Sequence, residues 1–169
     1  PSGRYLSADE DRLLIAGSFE TSAQASRVRW TPVKGASGAG NDERLEDDTD
    51  PEIDLDGYDG GVITGMSAPM LGSVFVFKQY HIYKLVRSGK RTKAYEALLY
   101  TNKRGALHGS IVEGADGAGR PCIYFLDPQV GPCRLGVGGL RSCGRDIRTT
   151  FNDINLDATK VVCTGVFYP

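Results

Sequence analysis

The feature that most constrains this chain is the stretch from Asp56 to Val86, which reads as three consecutive strands. Within it, Val74 to Phe77 is apolar on both faces, as is typical of a strand buried inside a sheet. A β-branched run at Val62 to Thr64 precedes it, and Ile82 to Val86 follows with alternating polarity after a polar turn at Lys78 to His81. Because such a meander cannot bury both faces alone, it needs neighbouring sheets of the same kind.

Similar apolar runs begin at Leu13, Val74 and Cys122, and each is followed by a return strand. Periods of roughly 40 to 50 residues that carry three or four strands are typical of propeller blades. The sequence therefore predicts an all-β fold of antiparallel meander units, about three propeller-like blades, although other all-β folds also repeat strand and turn. Gly165 to Tyr168 resembles the first strand of a further unit, and the chain starts without Met, so we expect a fragment of a larger propeller.

The six largest candidates for the core are apolar residues inside the predicted strands: Leu14, Trp30, Phe75, Phe77, Ile123 and Phe125. Two segments fit either a strand or a short helix, namely Tyr95 to Tyr100 and Asp146 to Leu156. No apolar stretch approaches the ~20 residues that a membrane-spanning helix needs, so no membrane contact is predicted.

Acidic residues concentrate in one part of the chain. Residues 41–60 hold ten of the 21 Asp and Glu side chains but only one of the 20 Lys and Arg side chains, so the remainder is basic. We predict a single all-β domain or fragment over residues 1–169, with an exposed acidic loop insertion at about 34–59. Since that loop has little apolar surface to bury, we expect Asp47, Asp48 and Asp50 to contact the basic surface of a neighbouring subunit.

The end of the acidic loop is also a weak candidate for a metal site. Asp54, Asp56 and Asp59 alternate with other residues in a Gly-containing turn, and such carboxylates can converge on a hard cation such as Ca²⁺. The Gly and Glu positions do not match an EF-hand, however. We favour an acidic, solvent-exposed turn, and we predict no bound metal and no cofactor.

Motifs that would indicate catalysis are missing from the sequence. It lacks a P-loop, a dinucleotide-binding fingerprint and a nucleophile elbow. The two histidines, His81 and His108, lie in separate predicted turns. The dense basic cluster at Arg87 to Lys93 is interpreted as a solvated loop, although a nucleic-acid contact is the alternative. We therefore predict no catalytic residues and no enzyme activity.

The four cysteines match no zinc-binding spacing. Cys122 and Cys133 fall on adjacent strands of one predicted hairpin and could face each other. Without a secretory signal, we favour reduced and mostly buried thiols, including Cys143 and Cys163.

Four segments carry a resemblance to a known group of proteins: Arg12-Leu13 with Ala16-Gly17, Arg27-Val28 with Trp30, Gly60 to Gly65, and Val74 to Leu85. They resemble the β-propeller-type segment of bacteriophage virion proteins, which form tail-tube, nozzle or neck components. The resemblance implies an architectural role in the virion, with assembly in the host cytoplasm. It also implies contacts with copies of the chain and other virion proteins, and passage of DNA nearby.

Two other classes of function remain open at this point. One is a glycan-binding or sialidase-like propeller domain, although the Asp-box of sialidases is absent. The other is an interaction module of a cellular protein, which the sequence separates from a virion component only through the resemblance.

Overall fold

The computed structural model of this chain describes residues 3–17, 24–31, 51–56, 59–89, 93–153 and 165–166. In these ranges, twelve strands form three four-stranded antiparallel sheets. Each sheet is a meander in which strands that follow one another in the sequence are neighbours. The predicted all-β fold class is therefore confirmed, and the sheets have the strand order of propeller blades.

The first sheet contains β1 (Tyr5–Asp9), β2 (Arg12–Ala16), β3 (Arg27–Trp30) and β4 (Glu52–Asp54). The second sheet contains β5 (Ile63–Met66), β6 (Val74–Lys78), β7 (Ile82–Arg87) and β8 (Tyr95–Thr101). The third sheet contains β9 (Val112–Ala115), β10 (Pro121–Asp127), β11 (Gly131–Gly136) and β12 (Gly139–Ser142). A 3-10 turn (Arg145–Ile147) and helix α1 (Arg148–Asn152) follow the third sheet.

The second sheet lies between the other two, and strand β6 shows why. All five of its residues are buried. Val74 and Val76 pack in a cluster with residues of the first sheet, whereas Phe75 and Phe77 pack in a cluster with residues of the third. Because side chains alternate between the two faces of a strand, an uninterrupted apolar run produces this double packing.

The first and second sheets pack with strands of the same position in each sheet in contact. The first strands β1 and β5 touch each other, and the fourth strands β4 and β8 do the same. The first strands therefore lie together on one side of the stack, which we call the inner side, and the fourth strands lie on the opposite, outer side.

The predicted meander and core are confirmed. Strand β6 pairs with β5 on one side and with β7 on the other, as the sequence indicated. The six predicted core residues are all at most 3% exposed: Leu14, Trp30, Phe75, Phe77, Ile123 and Phe125.

Two predicted boundaries differ in the structure. The acidic excursion expected through residue 59 contains strand β4, which pairs with β3 because Glu52 and Asp54 form ion pairs with its arginines. The polar turn expected from Lys78 begins one residue later, since Lys78 ends β6 and is fully buried.

The two ambiguous segments resolve differently. Tyr95 to Tyr100 belongs to strand β8, which pairs with β7. Asp146 to Leu156 contains the 3-10 turn and α1 as far as Asn152, not an outer strand.

In the described ranges, no helix combines the length and the apolar character needed to cross a bilayer. Gly165 and Val166 are not in a strand, and the rest of the predicted terminal strand lies outside the described residues.

Cys122 and Cys133 do not face each other. Cys122 lies opposite Gly136 and Cys133 lies opposite Phe125, so the two thiols are on opposite faces of the third sheet. Both are free and buried, as favoured from the sequence, whereas Cys143 is free and exposed. Cys163 lies outside the described residues.

Candidate functional site

A groove lies on the inner side of the stack, where the first strands of the three sheets approach one another. It has a volume of about 340 Å³ and is open to solvent. Its lining comprises Tyr5, Thr64, Gly65, Met66, Ile111, Val112, Glu113 and Gly165. Gly65 allows the close approach, because a Cβ atom at this position would collide with the Ile111 side chain.

Polar contacts along the groove tie the sheets together. The Tyr5 hydroxyl of the first sheet lies 2.5 Å from Nδ1 of His108, which precedes β9. The Glu113 carboxylate accepts a hydrogen bond from the backbone N–H of Ala68, which follows β5. Burial raises the pKa of Tyr5 to about 12, with Arg4 opposing the shift, so its hydroxyl stays protonated at neutral pH. These contacts hold the inner strands in position.

The other histidine has a different environment. His81 is buried and packs beside Tyr83, with ring centroids 6.3 Å apart, whereas His108 contacts Tyr5. His108 thus joins two sheets, whereas the contact of His81 is local, with the strand that it precedes.

Two of the three candidate metal-binding carboxylates accept hydrogen bonds from side chains of the protein, and the third residue is held through its backbone. Asp54 accepts two hydrogen bonds from Arg27, at 2.9 and 3.1 Å. Asp56 accepts one from the Tyr83 hydroxyl at 2.5 Å. The backbone carbonyl of Asp59 accepts one from the Lys78 ammonium group. Among the described residues, no three His, Cys, Asp or Glu side chains are arranged to hold a metal ion.

The buried Lys78 ammonium explains how this acidic turn is held. Its Nζ also donates to the carbonyl of Leu55 at 2.8 Å. Burial lowers the pKa of Lys78, while the nearby carboxylates of Asp56 and Asp59 oppose that shift. The ammonium group of Lys78 therefore lies at the acidic turn where the sequence suggested a weak candidate site for a metal cation.

Asp47, Asp48 and Asp50 lie outside the described residues, so their contact with a partner stays a prediction.

A second polar cluster joins the end of β1 in the first sheet to the β7–β8 connection of the second sheet. The Asp9 carboxylate accepts from Arg87 Nε at 3.0 Å and from the Tyr95 hydroxyl at 2.7 Å. Arg87 also donates to Glu10 at 2.5 Å. Sequence reasoning interpreted Arg87 as the start of a solvated loop and missed this contact, because its partners lie more than seventy positions away.

The face of the first sheet that points away from the second sheet is exposed. Leu6 is 63% exposed and Leu13 is 39% exposed. They lie on the inner strands β1 and β2, on the opposite face from buried Leu14. The face becomes charged toward the outer strands, where Arg27 and Arg29 meet Glu52 and Asp54. We call this surface the first-sheet face.

Comparison with known proteins finds no family model that matches this chain, and a search of curated proteins finds no match either. The functional proposal therefore depends on the fold, on the exposed surfaces and on the resemblance of the sequence segments described above.

Proposed function

We propose that this chain is a structural component of a bacteriophage particle, in its tail or neck, and that it acts through protein–protein contacts. The observation that carries the proposal is the first-sheet face. Leu6 and Leu13 are exposed at one end of a stack in which the faces between the first and second sheets, and between the second and third sheets, are buried. Exposed apolar patches with a polar rim mark interaction surfaces.

The placement of the resembling segments supports the same proposal. Arg12 to Gly17 covers β2, Arg27 to Trp30 forms β3, and Val74 to Leu85 covers β6 and most of β7. These segments supply the central strands of the blade-like sheets and the buried residues between them. They contribute to the core of the fold, and the architectural role in a virion is what the resemblance implies.

Quantitative mass spectrometry of purified phage particles tests the proposal. We expect the chain to be present in particles in a fixed ratio to the major capsid protein, and to remain bound after a wash at high salt. Its absence from particles would contradict the proposal. Glycan binding that is lost in Glu113→Gln, a groove substitution, would instead support the sugar-binding alternative.

A further inference from the structure

Strand β8 is the outermost strand of the second sheet, and it is longer and more apolar than its counterparts in the other two sheets. It pairs with β7 on one side, and the described residues place no strand on its other side. Strand β4 has three residues, two of them acidic, and β12 has four, including Arg141. Strand β8 has seven residues, of which only Glu96 is charged. Because proteins protect exposed sheet edges with short strands and charged side chains, β8 is the least protected of these outer edges.

The second half of β8 is open on both faces of the sheet. Leu98 and Leu99 are neighbours in the strand, so their side chains point to opposite faces. Leu98 is 50% exposed and Leu99 is 49% exposed. The first sheet covers the start of the strand, where Tyr95 is buried against Trp30. Strand β8 therefore extends past its neighbours and presents apolar side chains on both sides of its outer backbone edge.

A bulge sets the length of this edge. The pairing of β8 with β7 skips Tyr100, which is an extra residue between Leu99 and Thr101. The Tyr100 ring packs on Phe75, with ring centroids 5.8 Å apart. Because a bulge bends a strand, the regular edge runs from Tyr95 to Leu99, which is an ordinary length for one strand.

The chemistry of this edge identifies the kind of partner that fits it. An extended backbone satisfies the outward N–H and C=O groups of an edge strand and adds to the sheet as a further strand. Apolar side chains on both faces of that added strand would cover Leu98 on one face and Leu99 on the other. Exposed Lys93 and Lys103 lie beyond the two ends of β8, so a partner segment with acidic ends complements them.

We infer that β8 is a docking edge for another protein, which adds to the second sheet an extended segment with an apolar middle and acidic ends. The basic ends of β8 disfavour a second copy as the occupant, because an antiparallel pair of β8 strands centred on Leu98 sets Lys93 opposite Lys103. This edge belongs to a different sheet from the first-sheet face, so it is a further contact surface of the protein.

Selection of a displayed library of random peptides on the wild-type protein tests this edge. The binding of the most enriched peptides is then measured by calorimetry on the wild type and on two variants. Leu98→Glu with Leu99→Glu is the edge variant. Ile147→Glu is the matched control, because Ile147 is 52% exposed but lies in the 3-10 turn after the third sheet. Melting temperatures near that of the wild type verify that each variant is folded.

We expect the enriched peptides to combine a run of apolar residues with acidic ends. They should bind the wild type and the control equally, and the edge variant roughly tenfold more weakly or not at all, since two leucine contacts are lost. Lys93→Gln with Lys103→Gln should reduce the dependence of binding on salt concentration. Bound peptide should also slow the hydrogen exchange of backbone amides in residues 95–99, because strand addition pairs that edge.

Three results would overturn the inference: a selection that enriches no peptide, enriched peptides that bind the edge variant as tightly as the wild type, or binding that leaves hydrogen exchange in residues 95–99 unchanged. A wild type that forms pairs of chains, and that becomes a single chain in the edge variant, would assign β8 to a second copy and would also overturn it. None of these results changes whether the chain is found in phage particles, so the proposed function is tested separately.

Discussion

Phe77→Ala tests the packing of the second sheet against the third. Phe77 is fully buried, and its ring centroid lies 5.0 Å from that of Phe125 across the two sheets. Truncating a buried Phe to Ala costs about 3 to 5 kcal/mol, because apolar contacts are lost and a cavity remains. Domains of this kind are stabilised by only about 5 to 15 kcal/mol, so the variant loses a large share of its stability.

Urea unfolding followed by circular dichroism measures this loss, and a double-mutant cycle identifies its origin. We expect a coupling energy of about 0.5 to 1.5 kcal/mol between Phe77→Ala and Phe125→Ala, since the rings are in contact. Leu14→Ala is the matched second substitution. Leu14 belongs to the core between the first and second sheets, so its effect should add to that of Phe77→Ala within about 0.5 kcal/mol.

A loss below about 1 kcal/mol for Phe77→Ala would refute the double-sided packing of β6. Equal coupling of Phe77 to Leu14 and to Phe125 would show that the two cores are not separate.

Further predictions concern polar and titratable groups. Tyr95→Phe removes the hydrogen bond to the Asp9 carboxylate and should lower the free energy of unfolding by about 1.5 to 3 kcal/mol in urea titrations; no change would show that this contact does not join the sheets. Burial raises the pKa of Tyr5 to about 12, whereas tyrosine in an unfolded chain ionises near ~10. Its contribution to stability is therefore fully present below pH ~10 and is lost as the pH rises toward about 12, and a urea midpoint that stays constant across this window would contradict it. A maleimide reagent should modify exposed Cys143 rapidly and Cys133 only after unfolding, because burial raises the pKa of the Cys133 thiol to about 12; peptide mapping that finds equal rates would contradict this.

The sequence predicted the second sheet well because its signals are local. Val74 to Phe77 is apolar at every position, and such a run specifies a strand with both faces covered. The same local reasoning identified the buried residues of the neighbouring sheets, since each lies in a short apolar or alternating run.

Strand β4 was missed for a physical reason. Its three residues lie in an acidic segment, whose composition favours an exposed loop. The signal that could have identified it is the match between two segments, because Glu-Ile-Asp alternates in the same way as Arg-Val-Arg in β3. When the two strands pair, their opposite charges meet on one face, and Ile53 and Val28 face the core.

The buried polar contacts could not be predicted from local pattern. Lys78 appeared suited to a turn, yet its ammonium group is buried among the carbonyls of Leu55 and Asp59. Asp9 and Arg87 are brought together only when the first sheet packs on the second. Contacts of this type depend on how sheets stack, and the periodicity of a single strand carries no information about them.

The central claim is that this chain acts through protein–protein contacts at the first-sheet face, and an electron cryomicroscopy map of the assembled phage particle tests it most directly. The account predicts that Leu6 and Leu13, which are exposed in the single chain, are buried against a neighbouring protein subunit in that map. A map in which the first-sheet face remains open to solvent would contradict it.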